Sequence, residues 1–151
     1  MKKFFVVLGV VFASLIVLGI IFISIAVHTR SKLDTESKVY VDHVVPLIVA
    51  SWDSKELLNH ASPELLKVAP ADKIDSMFKM LAEKLGKYKE FKDSKGGSFL
   101  NFTPQGKIIT AAYITHVAFD RADATVRIRV IKHSENWQVL EFYVDSQALM
   151  P

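Results

Sequence analysis

Residues 122–132 read ADATVRIRVIK. Ala122, Ala124, Val126, Ile128 and Val130 fall on one face of an extended chain, and Asp123, Thr125, Arg127 and Arg129 fall on the other. A period of two with one apolar and one polar face predicts a strand covered on one side and wet on the other, the habit of antiparallel sheets. Working outward from it, Gly96-Gly97, Thr103-Pro104-Gln105-Gly106, Asp120-Arg121 and His133-Ser134-Glu135-Asn136 carry turn chemistry. They delimit further strands at 88–93, 98–103, 107–119 and 136–146. Connections this short predict an antiparallel meander.

The residues before the strands read as helices. Val41, Val44, Val45, Ile48 and Trp52 recur at helical spacing, with Pro46 expected to kink the helix that carries them. Asp53 or Ser54 can cap a short piece bearing Leu57, Leu58 and Ala61. Ser62-Pro63-Glu64 supplies an N-cap serine, a proline at the first helical position and an acid in the first turn. A further helix opens at Pro70 and Asp72, presents Ile74, Met77, Phe78, Leu81 and Leu85, and ends at Gly86. Helices followed by strands predict an α+β fold, with the helices packed on one side of a curved antiparallel sheet.

A different signal precedes all of this. Phe4 to Val27 contains no charge, and only Gly9, Ser14, Gly19 and Ser24 fall outside the apolar set. As a helix the run would reach about 36 Å at roughly 1.5 Å per residue, enough for a hydrocarbon core of about 30 Å. It is apolar on every face, unlike a helix packed on a soluble core. Lys2, Lys3, Ser24 and Ala26 are compatible with a cleaved signal peptide, but the apolar stretch exceeds the usual length of one. The favoured reading is an uncleaved single-pass anchor over 1–27, a polar connector at 28–34 and an α+β domain over 35–151. The alternative is cleavage and export. Basic residues are balanced across the span, with Lys2 and Lys3 before it and Arg30 and Lys32 after it. The short tail before the span favours a domain on the outer side of a bacterial cytoplasmic membrane. Gly9 and Ala13 form one small-xxx-small pair that would suit packing of two anchors.

The chain has 151 residues with 19 basic, 16 acidic and no cysteine. That size accommodates one folded domain. The absence of cysteine excludes a disulfide framework and a thiolate zinc site. A net charge of +3, spread and mixed, gives no argument for nucleic acid.

Several segments together resemble a known superfamily. They are the kinked first helix leading into Ser62-Pro63-Glu64-Leu65-Leu66, the helix ending Lys84-Leu85-Gly86, Ala112-Tyr113 in the long strand to Phe119, Ala124-Thr125-Val126, and Asn136-Trp137-Gln138-Val139 running to Val144-Asp145-Ser146. This pattern, over about 34–149, is similar to the nuclear-transport-factor-2-like, or cystatin-like, α+β superfamily. It is most similar to small membrane-anchored or exported bacterial members. The resemblance implies helices on a cone-like curved sheet, often dimeric and sometimes holding a pocket. Isomerases, dehydratases, transport adaptors and secretion-system scaffolds share that fold, so it does not select a function.

Chemistry on such a fold needs acids or bases inside the cone. Strand parity places Ile109, Ala111, Tyr113, Thr115, Val117 and Phe119 inward, together with the apolar face of 122–132. In the last strand Trp137 and Val139 have one parity and Leu140, Phe142 and Val144 the other. A bulge near Val139 would turn both sets inward. Without it Glu141, Tyr143 and Asp145 would face the interior and expose Leu140, Phe142 and Val144, which is costly. The bulged register is therefore expected. Tyr113, Trp137, Glu141 and Tyr143 are the candidate ligand-binding residues. Arg127, Arg129 and His116 are the candidate partner surface. No catalytic residue, metal site or cofactor is assigned. His28, His43, His60, His116 and His133 show no metal-ligand spacing. The lysines between Lys79 and Lys95, interleaved with Glu83, Glu90 and Asp93, read as a solvated helix end and a charge-protected edge strand. The expected role is non-catalytic binding or scaffolding, with a homodimer or an envelope protein as partner. The alternatives are a carrier or isomerase-like enzyme with an apolar pocket, and an assembly factor of a secretion machine.

Overall fold

The computed structural model describes the backbone of residues 1–151 and every side chain except that of Phe4. Its helices are α1 (Lys2–Ser51), α2 (Ser54–His60), α3 (Pro63–Val68) and α4 (Ala71–Leu85). Its strands are β1 (Tyr88–Thr103), β2 (Gly106–Phe119), β3 (Asp123–His133) and β4 (Asn136–Asp145), followed by a short 3-10 turn, Gln147–Leu149. The chain divides into two compact units, Met1–Leu33 and Asp34–Pro151.

In the first unit, every residue from Phe5 to Val27 is exposed, on all faces of the helix. The most apolar stretch has a mean hydropathy of 3.1, so the helix is long and apolar enough to cross a membrane. The stretch 28–34, expected as a connector, is itself part of α1. It contains neither proline nor glycine to stop a helix.

In the second unit, α1 presents Val41, Val44, Val45, Ile48 and Val49, all fully buried. These positions repeat at three and four residues and make one apolar stripe. Pro46 lies inside α1 without ending it. The helix stops at Trp52, whose φ of 48° is left-handed. The Trp52 indole stacks on Phe119 at 5.7 Å and meets Phe78 edge-on at 5.2 Å. Asp53 caps α2 through the Lys55 amide at 2.9 Å, and Ser62 caps α3 through the Leu65 amide at 3.3 Å. On α4, Ile74, Phe78, Leu81 and Leu85 are buried, whereas Met77 stays 38% exposed. The expected face is therefore narrowed to spacings of four, three and four.

The sheet is a curved, open, four-stranded antiparallel meander in the order β1-β2-β3-β4. The fold is α+β. On β3, Ala124, Val126, Ile128 and Val130 are buried, and Arg127 and Arg129 are exposed. The bulge in the last strand is present: Arg129 pairs with Glu141 and Val130 with Val139, so Leu140 has no partner on β3. Trp137 and Val139 are thereby buried on the same side as Phe142.

The reading of the first strands is corrected by the pairing. Gly96-Gly97 is not a hairpin turn, and 88–93 and 98–103 are a single strand. Gly96 pairs with Tyr113 and Gly97 with Ala112 inside β1. A Cβ on Gly96 would fall 1.9 Å from the Ala112 carbonyl oxygen. The glycine serves close approach of two backbones, not reversal of one.

Candidate interaction face on the outer sheet surface

The bulge sorts the candidate residues between the two faces of the sheet. Tyr113 and Trp137 are inward, 3% and 9% exposed. Glu141 and Tyr143 are on the outer face, level with Arg129 and Arg127 respectively. The four expected ligand-binding residues therefore do not form one site. The alternation that buries Val139 and Phe142 across an unpaired Leu140 obliges Glu141 and Tyr143 to point the other way.

The inward pair is occupied in packing. The Tyr113 hydroxyl donates to the Asp34 carbonyl at 3.0 Å and lies 2.8 Å from Ser37 Oγ. Burial pushes the Tyr113 pKa above its ordinary value, opposed by the Ser37 hydrogen bond. The Lys132 ammonium sits 5.8 Å from the centre of the Trp137 ring and pairs with Glu36 at 2.7 Å. Burial raises the Tyr40 pKa to about 12. Among the described residues the fully buried polar side chains are serines and threonines. Among the described residues no carboxylate or imidazole belongs to a buried residue, and the part-buried Glu36 is held by Lys132. Among the described residues no cluster of three potential metal ligands occurs either.

Sequence reasoning missed a polar seam between α1 and β1. Asp34 Oδ1 accepts from the Ser98 amide at 2.6 Å and from the Ser98 hydroxyl. Asp42 accepts from Ser94 Oγ and from Lys38 at 2.8 Å, and Lys38 also reaches Ser94 Oγ at 2.7 Å. The signal was available, because Asp34, Lys38 and Asp42 follow one another at intervals of four along a helix face.

The outer face is where the remaining candidates converge. Arg127 pairs with Asp145 at 2.6 Å, and its guanidinium lies 6.0 Å from the centre of the Tyr143 ring. Arg129 pairs with Glu141 at 2.9 Å. Such exposed pairs contribute little stability, but they hold the side chains in register. Lys95, Ile114, Arg127, Arg129, Glu141 and Tyr143 line an open groove of about 440 Å³. Its walls are amphipathic: Ile114 is 47% and Tyr143 58% exposed. His116 does not join them. It lies 3.3 Å from Thr125 Oγ1 and lines an adjoining depression with Lys92, Asp123, Thr125 and Asp145. The expected partner surface is therefore two neighbouring hollows. Glu141 and Tyr143 belong to the hollow that holds both arginines.

Compared with known proteins, the chain is matched by no protein-family model, no curated protein and no solved structure.

Proposed function

We propose that the protein is a single-pass, membrane-anchored envelope protein whose α+β domain binds a protein partner through the outer face of its sheet, without catalysis. The groove around Arg127, Arg129, Glu141, Tyr143 and Ile114 carries this reading. It combines an exposed aromatic ring, arginines and an aliphatic floor, the residue types that anchor protein interfaces. The inward face is packed with apolar side chains, and the carboxylates beside it, Asp34, Asp42 and Glu36, are engaged by Ser98, Ser94 and Lys132. Helices preceding a curved four-stranded sheet support the likeness to the nuclear-transport-factor-2-like superfamily. The charge-free run Phe4–Val27 supports an uncleaved anchor.

Two experiments test the proposal. A reporter active only outside the cytoplasm, fused after Pro151, should be active, full-length and in the membrane fraction. Inactivity in the membrane fraction would reverse the orientation, and a shortened product would replace the anchor by a cleaved signal. For the face, a photoreactive residue at Ile114 should yield a discrete adduct in cells. The adduct should be lost on Arg127→Glu with Arg129→Glu, while the same residue at Lys67 yields none. Equal labelling from both positions would sink the binding role.

A further inference from the structure

The β1–β2 hairpin overshoots the rest of the sheet. Pairing of β2 with β3 ends at Thr110↔Ile131, whereas β1 and β2 remain paired to Thr103↔Gly106. Beyond that last shared rung the hairpin is a two-stranded ribbon, a structure of marginal stability in water. Large apolar side chains are nonetheless exposed on it and at its base. Phe102 is 79% exposed, Phe99 52%, Leu100 41% and Ile108 39%. They lie on both faces of the ribbon, so no single helix or strand laid against one face would cover them.

The position of the ribbon within the domain is defined by the polar seam. Asp42 binds Ser94 and Asp34 binds Ser98. Sequence numbers rise along β1 as they fall along α1, so β1 continues past Asp34 at the end where the chain enters the domain. Val27, the last residue of the apolar run, is seven residues before Asp34. Five strand residues beyond Ser98 reach about 17 Å. The ribbon thus extends past the end of the domain at which the chain enters it. Its charge suits that place as well. Between Asp93 and Asp120 the chain has no acidic residue, and it carries Lys95 and Lys107. Exposed aromatics beside lysines are the residue types of a membrane interface.

We propose that the β1–β2 ribbon dips Phe99, Leu100, Phe102 and Ile108 into the lipid surface of the membrane that holds the anchor, giving the domain a second point of attachment. This rests on the anchor reading of 4–27. The test uses the full chain, which has no cysteine, so a single introduced cysteine carries the only label. Gln105→Cys at the ribbon's turn and Glu90→Cys at the far end of β1 are labelled with an environment-sensitive fluorophore. The protein is reconstituted in mixed phosphatidylcholine–phosphatidylglycerol vesicles containing a lipid-borne quencher. The expected result is quenching at position 105 several-fold greater than at 90, abolished by adding Phe99→Ser and Phe102→Ser. Those side chains are exposed, so their replacement leaves the core intact. Vesicle-bound protein with equal quenching at the two positions, or quenching that survives the serine substitutions, overturns the lipid contact while leaving the anchor standing. Label shielded from water but not from lipid, increasingly so at higher protein density, assigns the ribbon to a second copy and overturns the proposal. Failure of the full chain to associate with vesicles removes the anchor reading and this inference with it.

Discussion

β3 and β1 belong to one sheet, yet their inward faces are covered by different chemistry. β3 meets the helices through Val126, Ile128 and Val130, each at most 1% exposed. β1 meets α1 through Ser94 and Ser98, which bind Asp42 and Asp34. The central strand has a neighbour on both sides and can bury a continuous apolar row. The edge strand lies where the core thins, and it docks by directed hydrogen bonds. The contrast teaches that an apolar hold tolerates sliding but not charge, whereas a polar clasp sets register and is sensitive to its few donors and acceptors.

The comparison breaks most visibly at β3. Val126→Asp would place an unpaired carboxylate in the apolar row, costing several kcal/mol, on the order of the whole stability of a domain at about 5–15 kcal/mol. The cooperative unfolding transition of the full-length protein in detergent should disappear. Retention of a sharp transition would show that the row is not the core. At β1 the two glycines separate space from conformation. Gly96→Ala drives a methyl onto the Ala112 carbonyl oxygen and should destabilise by about 3 kcal/mol in denaturant titrations. Gly97→Ala, whose nearest neighbour is Asp34 Oδ1 at 3.4 Å, should stay within about 0.5 kcal/mol of the parent. Equal costs at the two positions would contradict the observed register.

The clasp itself is sharpened by a double-mutant cycle. Asp34→Ala should cost about 2 kcal/mol, because it removes a charged acceptor from the Ser98 amide and hydroxyl. Ser98→Ala should cost about 1 kcal/mol, and the pair should be less than additive. Strict additivity would mean the two residues do not act together. The smallest effect concerns Glu64, on α3, which faces His133 of β3 at 3.1 Å. Its pKa is lowered chiefly by a backbone hydrogen bond, helped by the His133 and Ser62 hydrogen bonds, against a burial penalty. A carboxyl lowered in the folded state contributes stability above its unfolded pKa and loses it as pH falls through the folded value. Glu64→Gln should therefore lower stability at neutral pH by less than about 1 kcal/mol, since both groups are nearly half exposed. In acid the difference from the parent should vanish. A difference that grew on acidification would reverse the sign assigned here.

Much of this arrangement was legible in advance. Ser62-Pro63-Glu64 and Gly86 marked helix ends because caps are local chemistry. The bulge beside Val139 followed from weighing two buried carboxylates against three exposed apolar side chains. Gly96-Gly97 was misread because a glycine pair signals a turn locally, while its actual reason, the Ala112 carbonyl, lies in another strand. The grouping of Tyr113 and Trp137 with Glu141 and Tyr143 failed on the same bulge, since the residues named together fall on opposite faces.

By itself the sequence determined the charge-free helix at 4–27, the helices before the strands, the alternation of β3 and the identity of most core residues. Each of these depends on periodicity and on neighbours within a few residues. Only the tertiary structure decided that β1 is one unbroken edge strand, that Asp34 and Asp42 clasp it to α1, and that the ribbon of Phe99 and Phe102 runs beyond β3. The clasp joins residues some 50 or more positions apart, and the strand pairing joins residues such as Gly96 and Tyr113 or Thr110 and Ile131, far outside any local window. Pairing across such separations is selected by the closing of the whole core and leaves no local period to read.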